Sequence, residues 1–357
     1  RGMPRLVGYP ATPEAPAGAS EAATVNDLGW ITSLTDETGA KTCYTYDAMG
    51  RINSIVHPSA TQTGVCDTSR WVQTTIAFEF INTPEHGIAA GHWRAVRRNG
   101  PNAHTNTYYD AMLRPVLEES LDANDVGNTL SQIVKRYDIK GQPVFQSYPQ
   151  RGVDNAWSVT QGIRTAYDAL GRTTRVEQDS EHGVLATNTE YLPGLKTRVT
   201  NPRGHQTTTS FMAWDQPGYE LPILSEQPEG KVIEIGRHPR FGWPLQLKQR
   251  NSSGSLQHSR HYVYDGHAQL CKTIEPETGA TVTGYDAANN PEWSASGLTG
   301  GGYASKTDCS YTAASTSGRA VSRTYDDRNR LKTLLFPDGI GNQVWTYEKD
   351  GLPATIA

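Results

Sequence analysis

Seven aspartates of this 357-residue chain stand directly after a tyrosine: Asp47, Asp110, Asp138, Asp168, Asp265, Asp286 and Asp326. Two carboxyl groups facing a cleft can hydrolyse a glycosidic bond, one as acid and one as nucleophile or base. Here, however, each acid recurs in one local frame: aromatic, acid, two variable residues, then Gly or Asn and often Arg. A recurring frame of that kind gives the acid a turn to hold instead of a substrate to attack. The 10 histidines show neither the H-E-x-x-H pattern nor the i, i+4 spacing of a metal site. His57, His86, His92 and His104 could meet only through folding. Ser294-Ala295-Ser296-Gly297 lacks the frame of a nucleophile elbow, and Glu229-Gly230-Lys231 lacks the earlier glycine of a phosphate loop. Asn251-Ser252-Ser253 has the form of a glycosylation acceptor but reads as the polar loop before a strand at residues 261–264. No catalytic, cofactor-binding or metal site is expected.

The frame itself is the strongest signal. Its clearest copies are Tyr46-Asp47-Ala48-Met49-Gly50-Arg51 and Tyr167-Asp168-Ala169-Leu170-Gly171-Arg172. Tyr109-Asp110 (ending in Arg114), Tyr137-Asp138 (with Gly141), Tyr264-Asp265, Tyr285-Asp286 and Tyr325-Asp326 (ending Asn329-Arg330) follow it. Trp214-Asp215 and Tyr347-Glu348 are worn versions. Tyr264 and Tyr285 lie 21 residues apart, and Tyr325 and Tyr347 lie 22 apart, so the unit is a fixed period with inserted loops elsewhere.

A second kind of punctuation falls between these steps, at Asp36-Glu37-Thr38-Gly39, Asn201-Pro202-Arg203-Gly204, Pro228-Glu229-Gly230, Pro276-Glu277-Thr278-Gly279 and Pro337-Asp338-Gly339. Each is a turn signal with glycine where positive φ is needed. The aspartate accepts from backbone N–H groups of the turn it opens, and Gly or Asn takes the left-handed position at its end. The entering strand alternates, so Tyr44 and Tyr46, Tyr262 and Tyr264, and Trp345 and Tyr347 share faces. Two strands of about seven residues and two turns make one repeat of about 20. Hairpin after hairpin yields a long antiparallel ribbon. No sustained helical periodicity interrupts it. Residues 61–69, 122–128 and 298–316 read as excursions from the sheet.

Composition agrees. Hydrophobic residues are 36% and charged residues 20%, with 34 Gly and 21 Pro, too few apolar and too many turn-forming residues for a thick helical core. The 17 Tyr and 8 Trp against 6 Phe suit a half-buried sheet face, where the ring packs and the polar tip finds a partner. Trp30, Trp71, Trp157 and Trp293 lie off the repeat positions and are the candidates for an exposed binding surface. A net charge of −4 offers no basic field for nucleic acid, and no apolar run is long enough to span a membrane as a helix. The four cysteines, Cys43, Cys66, Cys271 and Cys309, are read as isolated structural thiols. Pairing of Cys43 with Cys66 or of Cys271 with Cys309 is the alternative in an oxidising compartment.

The copies at Tyr46–Arg51, Tyr167–Arg172 and Tyr325–Arg330, with the turns between them, resemble the RHS or YD-repeat family over nearly the whole chain. The resemblance implies an all-β fold in which one antiparallel hairpin ribbon winds into a spiral, hollow barrel. It also implies a non-catalytic shell that encapsulates and helps deliver a C-terminal toxin or effector, as in polymorphic toxins and Tc-toxin-like shells; teneurins use a similar barrel for adhesion. Partners would then be the rest of the same polypeptide, including the toxin cargo and further repeats, with secretion machinery or cell-surface glycans as additional ones. The location would be secreted or at the bacterial cell surface. Residues 1–23 are expected to be an irregular lead-in and 24–357 a shell segment that continues at both ends. The self-cleavage core of the family is not recognisable here, and no catalytic residue is carried over. An extracellular adhesin or carbohydrate-binding scaffold is the alternative, and a propeller-type glycosidase fits the 21- and 22-residue steps poorly.

Overall fold

A computed structural model describes residues 5–11, 17–213 and 216–357. The opening Arg1-Gly2-Met3-Pro4 and the worn Trp214-Asp215 copy lie outside the described residues. Among the described residues there are 27 strands and two short α-helices, Val126–Thr129 and Tyr311–Ser315. The chain divides into two compact units, chiefly Gly18–Thr187 and Asn188–Thr346.

In the first unit each strand is antiparallel to the strand before it and to the strand after it, from Leu6–Tyr9 through Thr173–Ser180. The second unit repeats this from the pairing of residues 188–192 with Lys196–Thr200 to the strand Gln343–Tyr347. Hairpin succession arises because most connections are tight turns, and the longer excursions at residues 57–73, 148–161 and 299–319 also return the chain beside the strand it has just left. The expected lead-in is corrected at its start. Leu6–Tyr9 pairs with Ala19–Val25, so residues 6–9 and 19–23 already belong to the strip. The strand Ala19–Val25, with three alanines and no aromatic residue, carries none of the repeat's signature and is held to Leu6–Tyr9 by main-chain pairing.

All seven repeat tyrosines occupy the last position of a strand, and at each the register slips. Thr45 faces Ser54 while Tyr46 faces Ile52, leaving Asn53 as an extra residue in the returning strand. The same bulge leaves Val116 extra after Tyr109 and Cys271 extra after Tyr264. Bulges bend a strand and raise its right-handed twist, so a bulge beside every corner makes curvature a repeated property of the ribbon.

The sheet is half-buried along most of its length, and its largest buried clusters lie where a longer excursion covers it. In the first unit Ile88, Val153 and Ala156 come from such excursions and pack on Tyr108, Val116, Leu117, Val134 and Phe145 from the strands. Burying an aliphatic side chain as completely as Leu117 or Val134 contributes about 1.5–3 kcal/mol. In the second unit the helix Tyr311–Ser315 brings Ala314 against Ala280, Val282, Ala295 and Leu298.

Both cysteine pairs are disulfides, Cys43–Cys66 and Cys271–Cys309, with Cα atoms 6.1 and 5.5 Å apart. The expectation of isolated thiols is therefore corrected. In each pair one cysteine lies on or beside a strand and the other in an excursion that folds back onto that strand. The bond fastens the excursion to the wall.

Candidate functional site: the aspartate corners

At Asp47 the backbone N–H donates to the carbonyl of Arg51, and the N–H of Gly50 donates back to the carbonyl of Asp47. Asp47 Oδ1 then accepts two further N–H groups, from Met49 at 2.9 Å and Arg51 at 3.0 Å. Four otherwise unpaired groups of a tight turn are satisfied within five residues. The same pair of side-chain bonds occurs at Asp110, Asp138, Asp168, Asp265, Asp286 and Asp326. It also occurs at Asn26, Asp36 and Asn201, where no tyrosine precedes. Sequence reasoning had placed Asp36 and Asn201 in a second class of turn and had passed over Asn26. Asn26, Asp36 and Asn201 share with Asp47, Asp138 and Asp168 the signal of an acid or amide followed three residues later by glycine.

The left-handed position is glycine at Gly50, Gly141 and Gly171, as expected, and asparagine at Asn289 and Asn329. At Asp110 and Asp265 it is instead Leu113, with φ 58°, and Ala268, with φ 71°. This departs from the expected Gly or Asn. The corner's hydrogen bonds hold these residues where a Cβ costs about 1 kcal/mol or more.

Arginine completes four corners. Arg51 Nε donates to Asp47 Oδ2 at 2.7 Å, and its Nη2 reaches the same oxygen at 2.7 Å. Arg114 on Asp110, Arg172 on Asp168 and Arg330 on Asp326 repeat the arrangement. One carboxylate oxygen thus serves the backbone and the other serves the guanidinium. The backbone N–H and then the guanidinium of Arg51 hold Asp47 below the usual carboxylate range, and the N–H of Arg172 does the same for Asp168. At Asp110 burial opposes ionisation, but the N–H and guanidinium of Arg114 outweigh it.

At six of the seven corners the tyrosine ties its corner to the preceding turn on the same edge. Tyr137 Oη donates to the carbonyl of Pro115, just past the Asp110 corner, at 2.9 Å. Tyr167 reaches Pro143, past the Asp138 corner, at 2.8 Å. Tyr285 reaches Leu270 at 2.9 Å, Tyr325 reaches Pro291 at 3.0 Å and Tyr264 reaches Pro244 at 3.2 Å. Tyr46 donates likewise to Ile31, past the Asn26 corner. Tyr109 ends its strand in the same way and packs its ring on Phe78, 5.7 Å between centroids. The worn Tyr347-Glu348 copy keeps the backbone pair of bonds, with Gly351 closing the turn, while the Glu348 carboxylate turns to Arg70.

The repeat carboxylates are therefore engaged one by one at corners. A different polar group gathers beneath the excursions of the first unit. Buried Glu119 accepts from Gln132 Nε2 at 2.7 Å, Asn106 Nδ2 at 3.0 Å and Tyr108 Oη at 3.1 Å, and His86 Nε2 lies 3.3 Å away. Burial and then Glu119 push the Tyr108 phenol well above its ordinary range. The His92 ring also approaches Tyr108, tilted by 38° with centroids 6.2 Å apart. Folding thus unites His86 and His92. His57 lies elsewhere, on the cleft with Trp71 and Asp350, and His104 meets the carbonyl of Pro101. In the second unit buried Lys272 reaches Ser310 Oγ at 3.1 Å, and burial lowers its pKa. Ser310 Oγ also meets the carbonyl of Gly302 at 3.1 Å and Asp308 Oδ2 at 3.2 Å, which knits the excursion to the strand beside the Cys271–Cys309 bond.

Of the four tryptophans off the repeat, Trp30 is not free surface, since its ring packs tilted against Tyr46 at 5.2 Å and fills the space over Gly50. Trp71 donates to Asp350. Trp157 is 48% exposed, and Trp293 lines a cavity.

The family model of the RHS repeat matches residues 25–62, which span the corners at Asn26, Asp36 and Asp47. No curated protein sequence matches the chain. Among solved structures, the chain is similar to one of the Photorhabdus luminescens Tc holotoxin pore carrying a mutant TccC3. The likeness has 10% identity and a TM-score of 0.56, and covers 95% of this chain and 18% of that one. A crystal structure of TcdB2-TccC3 without the hypervariable C-terminal region aligns at 12% identity and a TM-score of 0.37, over 95% of this chain and 26% of that one. The chain therefore spans about a fifth of the length of the first of these. That first likeness shows a shared fold, the RHS-repeat model matches residues 25–62, and the same aspartate corner recurs in both units.

Proposed function

We propose that this chain is a non-catalytic wall segment of an RHS-repeat shell, which encloses a C-terminal toxin or effector of the same polypeptide and helps deliver it. The observation that carries the reading is the serial tie from six of the seven repeat tyrosines to a carbonyl beyond the preceding turn on the same edge. Within each unit it fastens the edge of the ribbon from one turn to the next, in addition to the buried clusters under the excursions. A wall that is half-buried, rich in Tyr and Thr and covered with hydrogen-bonding groups offers a confined polypeptide no large apolar patch to adhere to. Secretion, or display on a bacterial surface, goes with this role and with two disulfides that fasten excursions to the wall.

The test uses the natural polypeptide that contains this segment. Broad-specificity protease is added to the wild type and to the double variant Asp110→Ala/Asp168→Ala, and the segment downstream of the repeats is followed by mass spectrometry. Enclosure predicts that the downstream segment survives in the wild type and is digested about tenfold faster when the corners are opened. Equal digestion in both proteins would contradict it.

A second reading, a surface scaffold that recognises glycans, is favoured by Trp157. Its indole N–H is fixed on the carbonyl of Gly87 at 2.9 Å while the ring stays 48% exposed. Glycan-array binding abolished by Trp157→Ala would favour that role over enclosure.

A further inference from the structure

Four corner aspartates hold a guanidinium on Oδ2 from the arginine four residues on. At the adjacent corners Asp265 and Asp286, that arginine slot is filled by Gln269 and Asn290. The Gln269 amide turns to Asn289, and the Asn290 amide meets Asp286 Oδ2 at 3.1 Å. Among the described residues neither carboxylate has a lysine or arginine ion-pair partner. Both line one cavity of about 810 Å³ in the second unit, together with Tyr285, Trp293, Tyr311 and His267.

The aromatic wall of this cavity is fixed in place. Trp293 pairs with Gly284 across the ribbon, and a Cβ on Gly284 would lie only 2.3 Å from the indole nitrogen, so the glycine lets the indole lie against the strand. Tyr311 meets Trp293 edge to face at 6.0 Å, and its hydroxyl donates to Asp265 Oδ2 at 3.0 Å. Each Oδ2 keeps accepting capacity beyond its single internal partner. Two carboxylates without a counter-cation, set among three electron-rich ring faces, form an environment for an organic cation. The sister corners indicate which one. They show that an aspartate in this turn takes a planar guanidinium by a forked contact, and a guanidinium also stacks on aromatic faces as a compact, strongly hydrated ammonium does less well.

We propose that the cavity between the Asp265 and Asp286 corners binds a guanidinium group, presented by an arginine side chain of a polypeptide or by a small guanidino compound. The incoming group takes the place of the arginine that the Asp47, Asp110, Asp168 and Asp326 corners supply from their own chain. This proposal stands apart from the shell reading, since a wall segment and a free-standing scaffold would hold the same cavity.

The experiment titrates the folded chain with N-acetyl-arginine-N-methylamide, with its uncharged citrulline counterpart, and with the peptide Gly-Gly-Arg-Gly-Gly, by two-dimensional NMR. Saturable shifts in the millimolar range for the arginine compound and none for citrulline are expected. If the peptide also binds, the source is a polypeptide arginine. If only the amide does, the source is a small guanidino compound. Asn290→Arg restores the corner's own arginine and is expected to weaken binding at least tenfold while leaving the hairpin intact. Should Asn290→Arg fail to fold, Gln269→Arg makes the same test at the neighbouring corner. Absence of saturable shifts, equal binding of citrulline, or undiminished binding in the folded arginine variant would overturn the assignment.

Discussion

The hydroxyl of Tyr167 donates to the main-chain carbonyl of Pro143 at 2.8 Å, 24 residues earlier in the chain. Pro143 is the first strand residue beyond the Asp138 corner, and proline there leaves no N–H to compete for the edge. The bond joins two successive corners that share no side-chain ion pair. Tyr137 makes the equivalent bond to Pro115, and there the site is more shielded from water. Removing the hydroxyl by Tyr137→Phe is therefore expected to cost about 0.5–1.5 kcal/mol, and Tyr167→Phe less. Urea denaturation measures both, and an unchanged midpoint in the two variants would remove the tie from the account.

The corner separates two roles of aspartate. Asp110→Asn keeps an oxygen for the N–H groups of Met112 and Arg114, as Asn26 and Asn201 do at their own corners, and loses the guanidinium. Asp110→Ala loses both. The alanine variant is expected to be destabilised by about 1–3 kcal/mol and the asparagine variant by less than half of that. Equal losses would mean that the ion pair, not the turn, is what the acid serves.

Acid should open the corners. Asp47, Asp110 and Asp168 are held below the ordinary carboxylate range in the folded chain. Unfolding returns them to that range, so the unfolded state takes up protons first. Their contribution is present above about pH 4 and is lost as pH falls through the lower folded values. Replacing all three by Asn should flatten the fall in thermal midpoint between about pH 4 and pH 2. A fall as steep as in the wild type would place the acid sensitivity elsewhere.

Backbone sign changes offer a sharper contrast. Gly171 has φ 82° and Leu113 has φ 58° at equivalent positions. Gly171→Val should lower stability by about 1 kcal/mol or more, because a β-branched residue resists positive φ. Leu113→Gly relieves that strain and should not lower the midpoint, although it removes a large side chain. A loss at Leu113→Gly would show that its side chain packs in a way that outweighs the strain.

The two disulfides close chain segments of 23 and 38 residues. Opening either by Cys→Ala replacement of both partners is expected to cost about 3 kcal/mol, with Cys271/Cys309 felt more because Cys271 is fully buried. Calorimetry of the two variants checks the order.

Local chemistry explains what was legible in the sequence. The corner is a five-residue object, so Tyr-Asp-x-x-Gly-Arg announces both its turn and its ion pair. The ribbon follows because turns at that spacing leave room only for short antiparallel strands. Contacts that depend on return of the chain were not legible. The reach of Tyr137 to Pro115 depends on which edge each corner occupies. Cys66 and Cys309 sit in excursions whose path no periodicity encodes, so their return to Cys43 and Cys271 is not legible from spacing. Glu119 draws in Gln132 and Asn106 from the neighbouring strands and His86 from an excursion, none of them adjacent to it in sequence. Leu113 and Ala268 escaped because their own residue types argue against the backbone they adopt.

Amide hydrogen exchange at the corners tests the central claim most directly. Slow exchange is predicted for the N–H groups of Met49, Arg51, Met112, Arg114, Leu170 and Arg172, each of which is bound by an aspartate Oδ1. Asp168→Ala should free Leu170 and Arg172 while the Asp110 corner stays protected. Exchange of these six amides at the rate of an open chain in the wild type would contradict it.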